Sequence, residues 1–264
     1  MHASIYYNSL PPDAAPARRV ALAKQHGFAG VELVLGAGPG ADLGLDADEE
    51  ELVALRWIVE KAQVRIDAVS FGGPVASLDY LPKLLQAASA LGAPVAAVTP
   101  PHLDEDLPYD RAMERVLDAL TERLCEAEQA GITLAVEAPA SGGLLASPLE
   151  ARDFVDHLES DAVGICLHVA HAEDAAAWAR ILGGRVRHVW AADSASSATG
   201  HIQVVLPFQG RTNWFALREA LAAGGYDGPL VAEYLPYASA PELTVEHLAA
   251  SLRAVLTGEG RSHL

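Results

Sequence analysis

Eight short apolar runs, each followed by a segment of helical pattern, account for most of the chain. The runs cover residues 3–7, 30–35, 64–70, 94–99, 132–137, 163–167, 186–192 and 230–234. They are rich in Val, Ile, Leu and Ala, as strands buried on both faces are. The helical segments cover 13–25, 48–62, 77–91, 108–130, 147–158, 173–182, 213–223 and 241–256. Their ends carry the expected chemistry. Ser147-Pro148 places a cap before a proline at the first helical position. Acidic residues open 48–62, where the helix dipole favours them. Gly27, Gly92 and Gly131 stand where helices stop. Such an alternation folds as an open doubly wound sheet or as a closed barrel. Eight strands within 264 residues favour the closed (β/α)8 TIM barrel of the α/β class. Asn8-Ser9-Leu10-Pro11 is not the glycine-rich turn that a dinucleotide fold places after its first strand. No linker or low-complexity stretch interrupts the pattern, so one domain is expected over residues 1–264.

In a barrel of this kind the carboxyl ends of the strands converge on one face, and chemistry is built there. The residues ending the runs include Glu32, Ser70, Thr99, Glu137, His168, Trp190 or Asp193, and Glu233. Glu137 and Glu233 each close an otherwise apolar run, ITLAVE and LVAE. A carboxylate at the edge of a core must be paired, protonated or bound to a metal. The stretch GICLHVAH adds His168 and His171, three residues apart, at the end of the sixth run. Imidazoles beside carboxylates suit a divalent ion such as Zn, Mn, Co or Fe. The same groups without an ion form an acid/base set.

Charge and composition narrow the partners. The formal net charge is −17, from 35 acidic and 18 basic residues. With no basic cluster to offset it, nucleic acid is not an expected partner. Two cysteines are too few for a disulfide framework, which points to a reducing cytoplasm. The start MHASIYYNSL lacks the pattern of a secretory leader, and no apolar run is long enough to span a membrane.

From end to end the chain resembles the sugar isomerase and epimerase superfamily with the xylose-isomerase-like barrel. That group includes inosose dehydratases, ketose 3-epimerases and endonuclease IV. The resemblance is carried by HGFAGVEL (26–33), ALGAPVAAV (90–98), AGITLAVEAPA (130–140), GICLHVAH (164–171), RVRHVWAADS (185–194), LPFQGRTNW (206–214) and GYDGPLVAEY (225–234). It implies one divalent metal held by a Glu, an Asp, a His and a Glu on strands five to eight. By position the two glutamates are Glu137 and Glu233. His168 stands where the family has its aspartate, and Trp190 where it has its histidine. His171 matches a residue that contacts substrate. Phe208 replaces a glycine in the loop after strand seven, so Trp190 and Phe208 both add bulk around the expected cavity. The three-metal site of endonuclease IV is not recognisable.

The resulting expectation is a sugar or polyol isomerase, epimerase or dehydratase-like enzyme with an altered metal site. Glu137 and Glu233 are the expected acid/base groups. Glu137, His168 and Glu233 are the expected ligands of one divalent ion (Mn, Zn, Co or Fe), if the site retains one. His171, His188, Trp190 and Arg211 are the expected substrate contacts. The alternative is a noncatalytic or metal-free barrel that binds a small ligand or a partner chain. A homo-oligomer is compatible with either and specified by neither.

Overall fold

A computed structural model describes residues 1–36, 41–72, 75–103, 107–140, 142–196, 202–233 and 240–259. Strands β1 (His2–Tyr6), β2 (Gly30–Gly36), β3 (Arg65–Gly72), β4 (Val95–Val98), β5 (Thr133–Ala138), β6 (Val163–His168) and β7 (Val186–Trp190) are joined by a later strand, β10 (Pro229–Ala232). They close in the order β1-β10-β7-β6-β5-β4-β3-β2, and every pair is parallel. The fold is a (β/α)8 TIM barrel.

Alternation along each strand separates two cores. Outward residues such as Ile5, Leu33, Val69, Val98, Val136, Leu167 and Val189 pack against the helices in one continuous shell. Inward residues Tyr6, Val34, Ala68, Val95, Ala97, Ala135, Cys166, Trp190 and Val231 form a second cluster inside the barrel. The polar residues one pleat away on the same strands therefore also point inward. This sets Glu32, Glu137, His168 and His188 inside an apolar tube.

The helices are α1 (Pro16–Gln25), α2 (Glu49–Lys61), α3 (Leu81–Leu91), α4 (Tyr109–Thr121), α5 (Leu124–Ala130), α6 (Pro148–His157), α7 (Ala175–Leu182), α8 (Trp214–Ala223) and α9 (Pro241–Thr257). Side chains close several of their first turns. Asp48 and Glu51 form a reciprocal capping box on α2, and Ser147, Asp174 and Asn213 accept from the third residue of α6, α7 and α8.

Three expectations change. The single helix expected over 108–130 breaks at Glu122 and Arg123 into α4 and α5. Arg123 N donates to Leu120 O at 2.9 Å, a tightened turn that re-aims the second piece so that Ala127 is buried. The loop expected over 193–212 contains an antiparallel hairpin, β8 (Asp193–Ser196) and β9 (Ile202–Val205). The strand expected over 186–192 ends at Trp190, and His201 and Tyr234 lie outside the described residues. Among the described residues no helix is long and apolar enough to cross a membrane.

Leu43 lies beside Leu35 of β2 in a parallel bridge. Asp42 accepts from Val34 N at 2.9 Å and faces Arg19 at 3.4 Å. Arg19 in turn lies over the Tyr7 ring, 3.8 Å from its centroid. Burial dominates the Asp42 carboxyl and raises it to about 6, against the opposing pull of the Val34 amide and Arg19. A raised carboxyl binds more protons folded than unfolded. Its favourable contribution is present below about pH 4 and is lost as pH rises through 6, on the order of 2–3 kcal/mol at most. Asp42→Asn should therefore gain stability relative to the parent protein between pH 4 and 6.5, read as the difference between their melting temperatures.

Candidate active site

The inward residues at the carboxyl ends of β5 and β6 and just beyond β10 form one cluster. Glu137 is the penultimate residue of β5, and its side chain is 3% exposed. His168 ends β6, and its Nδ1 lies 2.9 Å from Glu137 Oε1. On the other side of the same ring, Nε2 lies 3.2 Å from Glu233 Oε2. The imidazole thus sits between two carboxylates. After β6 the chain turns tightly: the amides of His171 and Ala172 donate to His168 O at 3.1 and 3.2 Å. The turn folds His171 back over His168, with ring centroids 3.6 Å apart. His171 Nδ1 reaches 3.4 Å from Glu137 Oε1.

Opposite charge sets the ionisation here. Burial alone would raise Glu137 and lower His168. The hydrogen bond from His168 and the proximity of both imidazoles outweigh it at Glu137, which is held at about 2. The charge of Glu233 and the hydrogen bond to Glu137 outweigh it at His168, which is pushed up to about 10. Cys166, one pleat below, is driven well up by burial and by the nearby carboxylates, so its thiol is inert.

Beneath this layer lies a second one. Glu32 and His188 are both fully buried, with His188 Nε2 2.6 Å from Glu32 Oε2. Trp190 Nε1 donates to both Glu32 oxygens at 3.1 and 3.2 Å. The indole stands edge-on to His168, at 5.3 Å between centroids and 86° between planes. Trp190 therefore backs the upper layer and is anchored by the lower one.

The structure brings together Glu137, His168, His171 and Glu233. Trp190 adjoins them with its N–H turned away. His188 is enclosed with Glu32 and has no exposed surface. Arg211 is exposed on the loop after β9, with Nε donating to Ser194 Oγ at 3.2 Å. Phe208 packs on Trp214 and Phe215 of α8, at 6.3 and 5.8 Å.

Two further residues shape the site. Glu32 had the same signal as Glu137, a lone acid in an apolar run, but nothing in the sequence pairs it with a residue 156 positions on. Asp193 is the other. Its buried carboxylate accepts from the amides of Ser194, Gly210 and Thr212 and from Trp214 Nε1, at 2.8–3.2 Å. A Cβ at Gly210 would lie 2.3 Å from that carboxylate, so the loop closes on Asp193 only with glycine there.

The donor chemistry fits a cation. Glu137, His168 and His171 each offer a ligand atom, and these atoms lie within 4.8 Å of one another. His171 Nδ1 and Glu233 Oε2 are buried and, among the described residues, lack a well-aligned hydrogen bond. Nitrogen and carboxylate donors in this mixture suit first-row divalent ions.

Fold and site define a recognisable class. Residues 20–255 match the model of the xylose isomerase-like TIM barrel, and the chain belongs to that family. Among solved structures it is similar to the IOLI protein with a binding zinc atom (TM-score 0.80, 16% identity, covering 99% of this chain and 100% of that one). It is also similar to L-ribulose 3-epimerase (0.74, 19%, 99% and 96%). A third is D-psicose 3-epimerase in the presence of D-fructose (0.72, 15%, 98% and 98%). A comparison with curated protein sequences finds no match.

Removing Glu32 tests the lower layer. Glu32→Ala leaves the His188 and Trp190 nitrogens buried without an acceptor and should destabilise the protein by about 3–5 kcal/mol. Glu32→Gln keeps one acceptor and should cost clearly less. Urea unfolding of both variants gives the comparison.

Proposed function

We propose that this protein is an isomerase or epimerase of a small sugar or polyol derivative, moving a proton at a carbon next to a carbonyl. The observation that carries the reading is the pair of carboxylates, Glu137 and Glu233, held on opposite ring nitrogens of His168. Epimerisation and aldose–ketose exchange both need a base to take a proton and an acid to return one. Glu233 suits the first role: its side chain is 29% exposed, the more open of the two carboxylates. It takes the proton from carbon, and the electron pair of that C–H bond moves into an enediolate. Glu137, with the adjoining His168 and His171, serves the other side. In epimerisation it returns a proton to the same carbon from the opposite face, and the enediolate electron pair forms the new C–H bond; in aldose–ketose exchange Glu233 returns its proton to the neighbouring carbon while Glu137 carries the hydroxyl proton from one oxygen to the other.

A divalent ion, when bound, would polarise the carbonyl as a Lewis acid, and Glu137 and His168 would hold it. The apolar residues inside the barrel beside the cluster lower the local dielectric, which strengthens each charge interaction there. Two free cysteines support a reducing compartment, and the net charge of −17 argues against a nucleic acid partner.

One observation favours the noncatalytic alternative. Trp190 is 4% exposed and occupies the end of β7 with carbon, which reduces room above the barrel. Solvent-deuterium exchange separates the two readings. The protein, supplied with Mn, Zn or Co, should incorporate deuterium into at least one of a broad panel of ketoses and polyol-derived ketones. Glu233→Gln should lower that rate by about 10²-fold or more. No exchange on any panel member would sink the enzyme reading, and unchanged exchange in the variant would remove Glu233 from the mechanism.

A further inference from the structure

Strand β7 ends in a side chain that cannot hold a cation. The indole nitrogen of Trp190 has no lone pair to give, and its N–H is committed to Glu32 at 3.1 and 3.2 Å. Glu32 is itself fixed by His188 at 2.6 Å, and neither is exposed. The indole is therefore locked with its ring edge-on to His168.

The turn after β6 supplies what β7 does not. The His171 ring lies over His168, tilted by 38° with centroids 3.6 Å apart, and its Nδ1 lies 3.4 Å from Glu137 Oε1. That nitrogen is buried and makes no well-aligned hydrogen bond among the described residues. Glu137, His168 and His171 bring ligand atoms within 4.8 Å of one another. Glu233 stands across the ring, 3.2 Å from His168 Nε2.

We infer that His171 completes a divalent-cation site with Glu137 and His168, and that Glu233 lies outside it. The inference rests on the reading that this cluster holds an ion for carbonyl chemistry, and it names the ligands. Two imidazoles and one carboxylate form a set that leaves a coordination position open on a zinc-class ion. All three ligands come from the adjacent strands β5 and β6 and one turn. Glu233 is then free to move a proton. Two nitrogens among three ligands also select the ion: Zn or Co over Mg or Ca, which prefer oxygen.

Cobalt(II) titration of the full chain, stripped with chelator, tests this without any turnover assay. The parent protein should take up one equivalent, with visible absorption of low-symmetry nitrogen- and oxygen-bound cobalt, and excess Mg should not displace it. His171→Ala and the bulkier His171→Gln should each bind at least about 100-fold more weakly, since even outer-shell partners are worth 10–100-fold. Glu233→Gln, which changes only the outer partner of His168, should weaken binding by about 10-fold, clearly less than either His171 variant, and should keep the parent's spectrum. Circular dichroism and melting curves establish that each variant is folded, and His171→Gln serves if His171→Ala is not.

Equal cobalt affinity in a folded His171 variant would overturn the inference. So would a loss in Glu233→Gln as large as that in His171→Ala. If the parent protein takes up no cobalt, the ion site fails together with the metal part of the proposed function. Normal uptake with no deuterium exchange on any substrate would leave the ligand set standing and remove the catalytic reading.

Discussion

The imidazole of His168, held between the carboxylates of Glu137 and Glu233, is the interaction on which the rest of the site depends. Charges inside a barrel lose most of their hydration, and each is tolerated only with a partner in good geometry. His168 supplies that partner twice, at 2.9 and 3.2 Å. It can do so because β5 and β6 are paired in register, with Glu137 beside Cys166 and Ala138 beside Leu167. That register places the inward side chain at the end of each strand within reach of its neighbour. Trp190, directly across from His168 on β7, limits the room in which the ring can turn.

The layer below solves the same problem without opening to the surface. Glu32, His188 and Trp190 satisfy one another inside the tube, and only the indole reaches the level of His168. A substitution at Glu32 would therefore act on the site through the position of Trp190. Asp193 plays a comparable part for the loop above, gathering three amides and an indole N–H onto one buried carboxylate. The functional face is framed from beneath by one buried acid and from the side by another.

Much of this was legible in the sequence, for identifiable reasons. The alternation of apolar runs and capped helical segments is a local property, and it specifies a barrel when it occurs eight times. Glu137 and Glu233 stood out because an acid is anomalous at the end of ITLAV or LVA. His168 and His171 stood out by their spacing at a strand end. The pairing of Glu32 with His188 was not legible, since strand neighbours across the barrel leave no mark on residues 156 positions apart. The hairpin of β8 and β9 was hidden because DSAS and IQVV are short and carry no clean alternation. The break between α4 and α5 was hidden because Glu122 and Arg123 are good helix formers, and the tightened turn there follows from packing. The roles proposed for His188 and Arg211 as substrate contacts rested on position alone. One lies fully enclosed and the other is exposed and bonded to Ser194.

The most direct measurement is the metal content of protein purified without chelator or affinity metal, with Glu137→Ala prepared in parallel. Glu137 is the acid that both histidines approach, so it must be common to any ion site in this cluster. The account predicts about one equivalent of a first-row divalent ion in the parent protein and its loss in the variant. No ion in the parent protein, or the same content in both, would contradict it.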